Sequence, residues 1–218
     1  MVLSELLSGL GLEVDSGVVP LLSRLVDELL RWNPRRNLTA ITDRDEVLEK
    51  HLIDSLTLLP FARQATRLLD IGSGAGFPAL PLKIVCPELD VVSVDAVGKK
   101  VDFQRHIVRT LGLHGFTALH ERVERLADHR DYRAGFDLVT ARALCSLGEL
   151  VVLAEPFLAP GGRLVAMKGP EGSRELCEQH DLLRQAGWSA SLHHLNLPVS
   201  RAERCLVELT RCLDKLTR

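Results

Sequence analysis

Three glycines at alternate positions, Gly72, Gly74 and Gly76, follow an apolar run that carries an acid, Leu68-Leu69-Asp70-Ile71. Glycine gives up more backbone freedom on folding than any other residue, so three this close together imply that something approaches the chain there. Without Cβ atoms the loop can turn with positive φ while a ligand lies against its peptide groups. The pattern reads as strand, tight loop, helix, with Pro78 and Pro81 suited to a helix start, where a missing N–H costs little. About twenty residues further on, Asp90-Val91-Val92-Ser93-Val94-Asp95 is a short β-rich run closed by an acid. That spacing places Asp95 where a carboxylate accepts hydrogen bonds from the ribose of a bound nucleoside. Asp95 supports a nucleoside without choosing which.

The loop itself narrows the choice. In the dinucleotide fingerprint G-x-G-x-x-G the third small residue would fall on Phe77, too large for the close helix-to-strand contact, so a nicotinamide dinucleotide is the weaker reading. An acid two residues before the first glycine, followed by G-x-G-x-G, resembles instead the first motif of the S-adenosylmethionine-dependent methyltransferases. An ordinary tight βα turn is the plain structural alternative, and Asp95 weighs against it.

Other residues of chemical interest are less specific. His51, Asp54 and Ser55 stand at i, i+3 and i+4 of an expected helix and share one face. They fit a structural hydrogen-bonded set near the cleft better than a catalytic constellation. Arg31-Trp32-Asn33-Pro34-Arg35-Arg36 gathers arginines around an aromatic; it suits an RNA backbone with a stacked base, or equally a solvated loop over a buried tryptophan. The five cysteines are scattered with no C-x-x-C spacing, and read as reduced, mostly buried thiols of a cytoplasmic protein. There is no H-E-x-x-H, and the adjacent His193 and His194 would face opposite sides of a strand, so no metal is expected.

The elements that must position these groups follow from periodicity. A chain of 218 residues, 46% hydrophobic and 26% charged, suits one soluble α/β domain with an addition at one end. No apolar run is long enough to span a bilayer, and the start at Met1 lacks the basic region of a secretory signal. An amphipathic helix is expected from Asp15 to about Trp32, broken at Asn33-Pro34, and a second from Thr42 or Asp43 to about Leu59. From Arg67 short strands alternate with helices, which predicts a mostly parallel sheet covered on both faces. Strands are expected near Arg67–Ile71, Val91–Asp95, Thr117–Glu121, Phe136–Ala141, Arg163–Lys168, Trp188–Leu197 and Arg204–Arg211. Helices are expected near Pro81–Cys86, Lys99–Leu111, Leu147–Phe157, closed by Pro160-Gly161-Gly162, and Glu171–Ala186. Residues 1–64 then form a helical extension packed on a domain of residues 65–218, and a monomer is expected.

In such a sheet ligands bind beyond the carboxyl ends of the strands, so Asp70, Asp95, the Arg122-Val123-Glu124 turn and Arg142 should converge. Val123 and Glu124 would border an adenine. The fourth strand ends in Thr140-Ala141-Arg142-Ala143-Leu144, without the [DN]-P-P-[YFW] motif common among enzymes that methylate exocyclic amino groups. Cys145 lies in an apolar run and reads as core.

Taken together, Trp32-Asn33, Asn37-Leu38-Thr39, His51-Leu52-Ile53-Asp54-Ser55, the Gly72-to-Pro81 loop, Gly98-Lys99-Lys100, Arg122-Val123-Glu124, Ala141-Arg142-Ala143 and Lys168-Gly169 closely resemble, in order, the glucose-inhibited division protein B family. These are bacterial methyltransferases that modify a guanine of small-subunit ribosomal RNA at N7. The resemblance implies a Rossmann-like class I fold with a seven-stranded sheet and an N-terminal helical extension. It implies S-adenosylmethionine as cofactor, held by Gly72, Phe77, Val123, Glu124 and Arg142, with Asp70, Gly74 and Asp95 from the loop and ribose readings. The implied partner is 16S ribosomal RNA or the small ribosomal subunit. Two positions depart from the family: Ala79 replaces a usual glycine, and Ala96 a small hydroxyl residue.

Guanine N7 carries a lone pair and no proton, so direct displacement needs alignment and no general base. No residue is assigned as a catalyst. With a net charge of -2, RNA contact must rely on local basic patches. Candidates are Arg35, Arg36, Lys99, Lys100, Arg105, Arg109 and Lys168. A small-molecule methyltransferase of the same fold is the main alternative, and an NAD-linked oxidoreductase a second.

Overall fold

The computed structural model describes residues 3–11 and 13–212, so the outer ends of the two expected segments, 1–2 and 213–218, lie outside the described residues. Seven strands form one sheet: β1 (Arg67–Ile71), β2 (Asp90–Asp95), β3 (Phe116–His120), β4 (Phe136–Arg142), β5 (Leu158–Lys168), β6 (Trp188–Asn196) and β7 (Glu203–Arg211). Their order is β3-β2-β1-β4-β5-β7-β6; the first five are parallel, and β7 runs antiparallel to both neighbours. The chain moves outward from β1 to β3, then returns to lay β4 beside β1. The order therefore reverses between β1 and β4, and a crevice opens there at the carboxyl edge.

Both faces of the central strands are covered, which is why β1 and β2 read as nearly continuous apolar runs. Before β1 come α1 (Leu3–Gly9), α2 (Val19–Arg36), α3 (Arg44–Val47), α4 (Asp54–Leu56) and α5 (Leu59–Ala62), with a π-helical turn, Leu48–Ile53, joining α3 to α4. Then follow α6 (Ala79–Val85), α7 (Gly98–Leu111), α8 (Val123–Leu126), α9 (Leu147–Ala154) and α10 (Gly172–Gln185). Leu25, Leu29, Leu52 and Phe103 from the early helices and α7 pack with Leu68 and Leu138 on one face. On the other, Leu150, Phe157 and Trp188 pack with Leu69, Ile71 and Val139. Successive residues of β1 thus serve opposite cores, and Asp70 falls on the face of α6.

Three local expectations are corrected. Helix α2 does not break at Asn33-Pro34 but runs through Pro34 to Arg36. Proline forfeits only one hydrogen bond this near the end, and the stop comes at Asn37, whose left-handed backbone (φ 46°) lets its N–H donate to the Asn33 carbonyl at 2.8 Å. Buried Asn33 also accepts the N–H groups of Leu38 and Thr39 at 2.8 and 3.0 Å, turning the chain toward the crevice. The second helix is capped by Asp43 as expected, but its middle widens into the π-turn and regular helix ends at Leu56. There the Arg142 guanidinium donates to the Lys50 carbonyl at 3.2 Å, a side chain inserted at the ladder. Pro160-Gly161-Gly162 does not precede the fifth strand but lies inside β5 as an irregularity, the pairing jumping from Phe136↔Leu158 to Leu138↔Arg163. A Cβ on Gly162 would meet the Phe136 carbonyl oxygen at 2.7 Å, so only glycine lets the two backbones approach.

Candidate functional site

A cavity of about 810 Å³ occupies the crevice, walled by the glycine loop, the π-turn and the ends of β2 and β4. Gly72, Gly74 and Gly76 all have positive φ (69°, 59° and 89°), but they serve different ends. A Cβ on Gly72 would lie 2.8 Å from Leu144, and one on Gly76 only 2.5 Å from Leu80. These two glycines make room for the protein's own side chains. Gly74 faces open space, its nearest neighbour being the Lys100 ammonium at 3.9 Å. It is the position where a ligand can lie on the backbone.

Asp95 is fixed beside that cradle. One carboxylate oxygen accepts the Gly74 N–H at 2.8 Å and the other the Val97 N–H at 2.8 Å. Below the loop, Gln104 donates to the Ser73 hydroxyl and the Gly74 carbonyl, both at 2.8 Å, while its own oxygen accepts from Ser93. These three buried polar groups hold the loop onto α7 and β2. Sequence reading missed them; the available signal was a glutamine beside Val101, Phe103 and Ile107 on the buried face of α7.

Asp70, expected at the ligand, lies beneath the loop and does not line the cavity. It is fully buried; one oxygen accepts the Ala79 N–H at the start of α6 at 3.3 Å, and the other has no hydrogen-bond partner among the described residues. Burial pushes its pKa up to about 8, so the carboxyl is mostly protonated at neutral pH.

The opposite wall is a linked polar set. Arg142 ends β4 and reaches His51 Nδ1 at 3.3 Å and Asp54 at 3.7 Å. Arg204 of β7 donates to the other Asp54 oxygen at 2.9 Å. Burial raises the Asp54 carboxyl, and the two guanidinium groups pull against that rise. His51 is held near pKa 4, by burial and then by Arg142, so its ring is neutral at pH 7. Its Nε2 meets the Thr39 hydroxyl at 2.7 Å, and the ring lies 5.3 Å from that of Phe77. Ser55 turns away and donates to the His51 carbonyl at 2.5 Å. The His51, Asp54 and Ser55 trio is thus a hydrogen-bonded scaffold, and Arg204 is a member that no local pattern announces.

Gly72, Gly74, Phe77, Asp95 and Arg142 come together here. Val123 and Glu124 do not line this cavity: they open α8 beyond edge strand β3, whereas the cavity centres on the β1–β4 switch. Of the expected RNA contacts, Lys168 lines the cavity but is only 13% exposed and donates to the Cys145 carbonyl at 2.6 Å and to Glu175 at 2.9 Å. Arg105 caps the Ala118 carbonyl with two N–H groups at 3.2 and 2.9 Å. Both are committed within the fold. Arg35, Arg36, Lys99 and Lys100 have no ion pair among the described residues, while neighbouring Arg24, Arg31, Arg44 and Lys50 each hold an acid. Lys100 lines the cavity, and Arg35 and Arg36 flank a separate groove of about 410 Å³ beside Trp32 and His106. Trp32 sits on a helix, half-buried, its ring 4.7 Å from that of His106 and 5.6 Å from that of Phe103.

A sheet of this order, with one reversed strand and a glycine cradle after β1, defines the chain as having the Rossmann-like fold of the class I methyltransferases. It superposes on the precorrin-6y C5,15-methyltransferase of Geobacter metallireducens with a TM-score of 0.57 at 15% identity, covering 72% of this chain and 87% of that one. The ribosomal protein L11 methylase of Lactobacillus delbrueckii subsp. bulgaricus gives 0.56 at 16% identity, over 75% and 79%. Within that class the chain belongs to the GidB family, rRNA small subunit methyltransferase G, whose model matches residues 19–206. The ribosomal RNA small subunit methyltransferase G of Syntrophotalea carbinolica is 50% identical over 210 residues, 96% of each chain. That of Geobacter sp. strain M21 is 46% identical, over 93% of each.

Proposed function

We propose that this chain methylates N7 of a guanine in the 16S ribosomal RNA of the small subunit, with S-adenosylmethionine as methyl donor. The observation that carries this reading is the open cradle at Gly74, held beside Asp95 by a 2.8 Å hydrogen bond at one side of the cavity, while the other wall carries a neutral His51 already bonded to Thr39 and Arg142. Bound there, the cofactor supplies an electrophilic methyl group on sulfur. Asp95 keeps two acceptor oxygens fixed at the ribose position, and the Gly74 backbone bounds the same end. Gly72 and Phe77 shape the floor, and Arg142 orients what enters beside β4. His51 stays neutral and adds no positive charge to a site that must receive a cationic ligand. Because guanine N7 has no proton to lose, the residues need only align two partners and exclude water.

Arg35, Arg36, Lys99 and Lys100 meet the RNA phosphates. Their lack of an ion pair among the described residues supports this, since a cation with no acid beside it is free to neutralise a phosphate. The helical segment 1–64 carries two of these arginines to the rim of the 65–218 methyltransferase domain. Among the described residues no helix is long and apolar enough to cross a membrane. The same reading places the protein in the cytoplasm as a monomer. Val123 and Glu124 remain the proposed border of the adenine, at the carboxyl end of β3. Mapping N7-methylguanine in 16S ribosomal RNA from cells with and without this chain tests the proposal: one guanine should lose its modification in the deletion. Unchanged methylation throughout would refute it.

A further inference from the structure

The β6–β7 ribbon gathers a set of side chains that the methyl-transfer site does not use. His194 stands directly opposite Cys205, and Glu203 precedes Cys205 by two residues, on the same face of β7. The His194 Nδ1 atom lies 3.6 Å from the Cys205 sulfur and 3.5 Å from a Glu203 oxygen, and the three donor atoms fall within 4.8 Å of one another. Ligands bound tetrahedrally to zinc at roughly 2.0–2.3 Å are spaced about 3.3–3.6 Å apart. The two measured separations match that spacing. Cys205 is buried, whereas His194 and Glu203 are exposed, so the site has a fixed inner ligand and an open outer side.

From this geometry we infer a zinc site formed by Cys205 Sγ, His194 Nδ1 and a Glu203 oxygen, with water as fourth ligand. Thiolate, imidazole and carboxylate together suit zinc above the harder divalent ions. Binding displaces the thiol proton to solvent; no oxidation is involved. The site has a consequence for the cleft. Arg204 lies between Glu203 and Cys205, and strand alternation sends it to the other side, where it holds Asp54 at 2.9 Å. A metal gripping both neighbours clamps the segment that presents Arg204.

The test is titration of the reduced full-length chain with cobalt(II), a spectroscopic substitute for zinc. One equivalent should give a near-ultraviolet thiolate-to-cobalt band with the visible bands of tetrahedral cobalt, and zinc should bleach both. His194→Gln and Glu203→Gln, at exposed positions where folding is not at stake, should each weaken binding by on the order of 100-fold. Cys205→Ser should abolish the thiolate band, and Cys177→Ser should leave it intact. A missing thiolate band, or one that persists at full strength in His194→Gln, would overturn the site and leave a cross-strand hydrogen-bonded trio.

Discussion

Asp95 accepts the Gly74 N–H at 2.8 Å, which ties the acid of one strand to the glycine loop of the next. The pairing couples two functions: the carboxylate that would take the ribose also sets the path of the backbone under it. Asp95→Ala removes both, together with the bond to Val97. Each charge-assisted hydrogen bond contributes about 1.5 kcal/mol or more, so S-adenosylmethionine affinity should fall roughly 100-fold. Calorimetry with the cofactor and with its demethylated product measures this; a loss under threefold would remove Asp95 from the ribose site.

The glycines should separate by what their Cβ would meet. Gly74→Ala places a methyl group in the cradle, in a left-handed backbone that costs a non-glycine residue about 1–2 kcal/mol. Cofactor affinity should drop at least tenfold, with a modest stability loss. Gly76→Ala drives a Cβ to 2.5 Å from Leu80, and should lower the melting temperature by roughly 5 °C or more. Thermal melts beside binding isotherms distinguish the two.

Reversing charge at Arg35 and Arg36 together should weaken binding to undermethylated small subunits by about tenfold or more at low salt. The salt dependence should also shallow, by roughly one unit of slope for every phosphate the protein no longer neutralises. Cofactor affinity should not move. Equal weakening of both would mean that the arginines support the pocket and do not touch RNA.

Asp70 sets a pH dependence. Its pKa rises from 3.8 unfolded to about 8 folded, so between these values the native state binds a proton that the unfolded chain does not. Stability from this group therefore falls as pH climbs through that window. His51 acts with the opposite sign between about 4 and 6.5, because there the unfolded ring binds the extra proton. From pH 6.5 to 8 Asp70 acts without that opposition, and Asp70→Asn should flatten the decline. Urea midpoints at pH 6.5 and 8 for both proteins check it; parallel slopes would contradict the assignment.

The spacing of Asp70, Gly72, Gly74 and Gly76, the acid at Asp95 and the alternation of apolar runs after Arg67 were enough to determine a nucleoside-binding α/β sheet, because turns, strands and their carboxyl ends are local matters of backbone conformation and period. Family motifs then pointed to methyl transfer onto RNA. What a side chain does at its position depends on partners that only the folded sheet supplies. Asp70 and Asp95 look alike in sequence, yet strand alternation and α6 bury one under the loop and leave the other at the cavity. Lys168 reads as a free cation until β5 places it against Cys145 and Glu175. Arg204 meets Asp54, and His194 meets Cys205 and Glu203, through the pairing of β7 with β5 and β6. Such meetings across strands and helices have no signature in local spacing, so tertiary structure alone decided them.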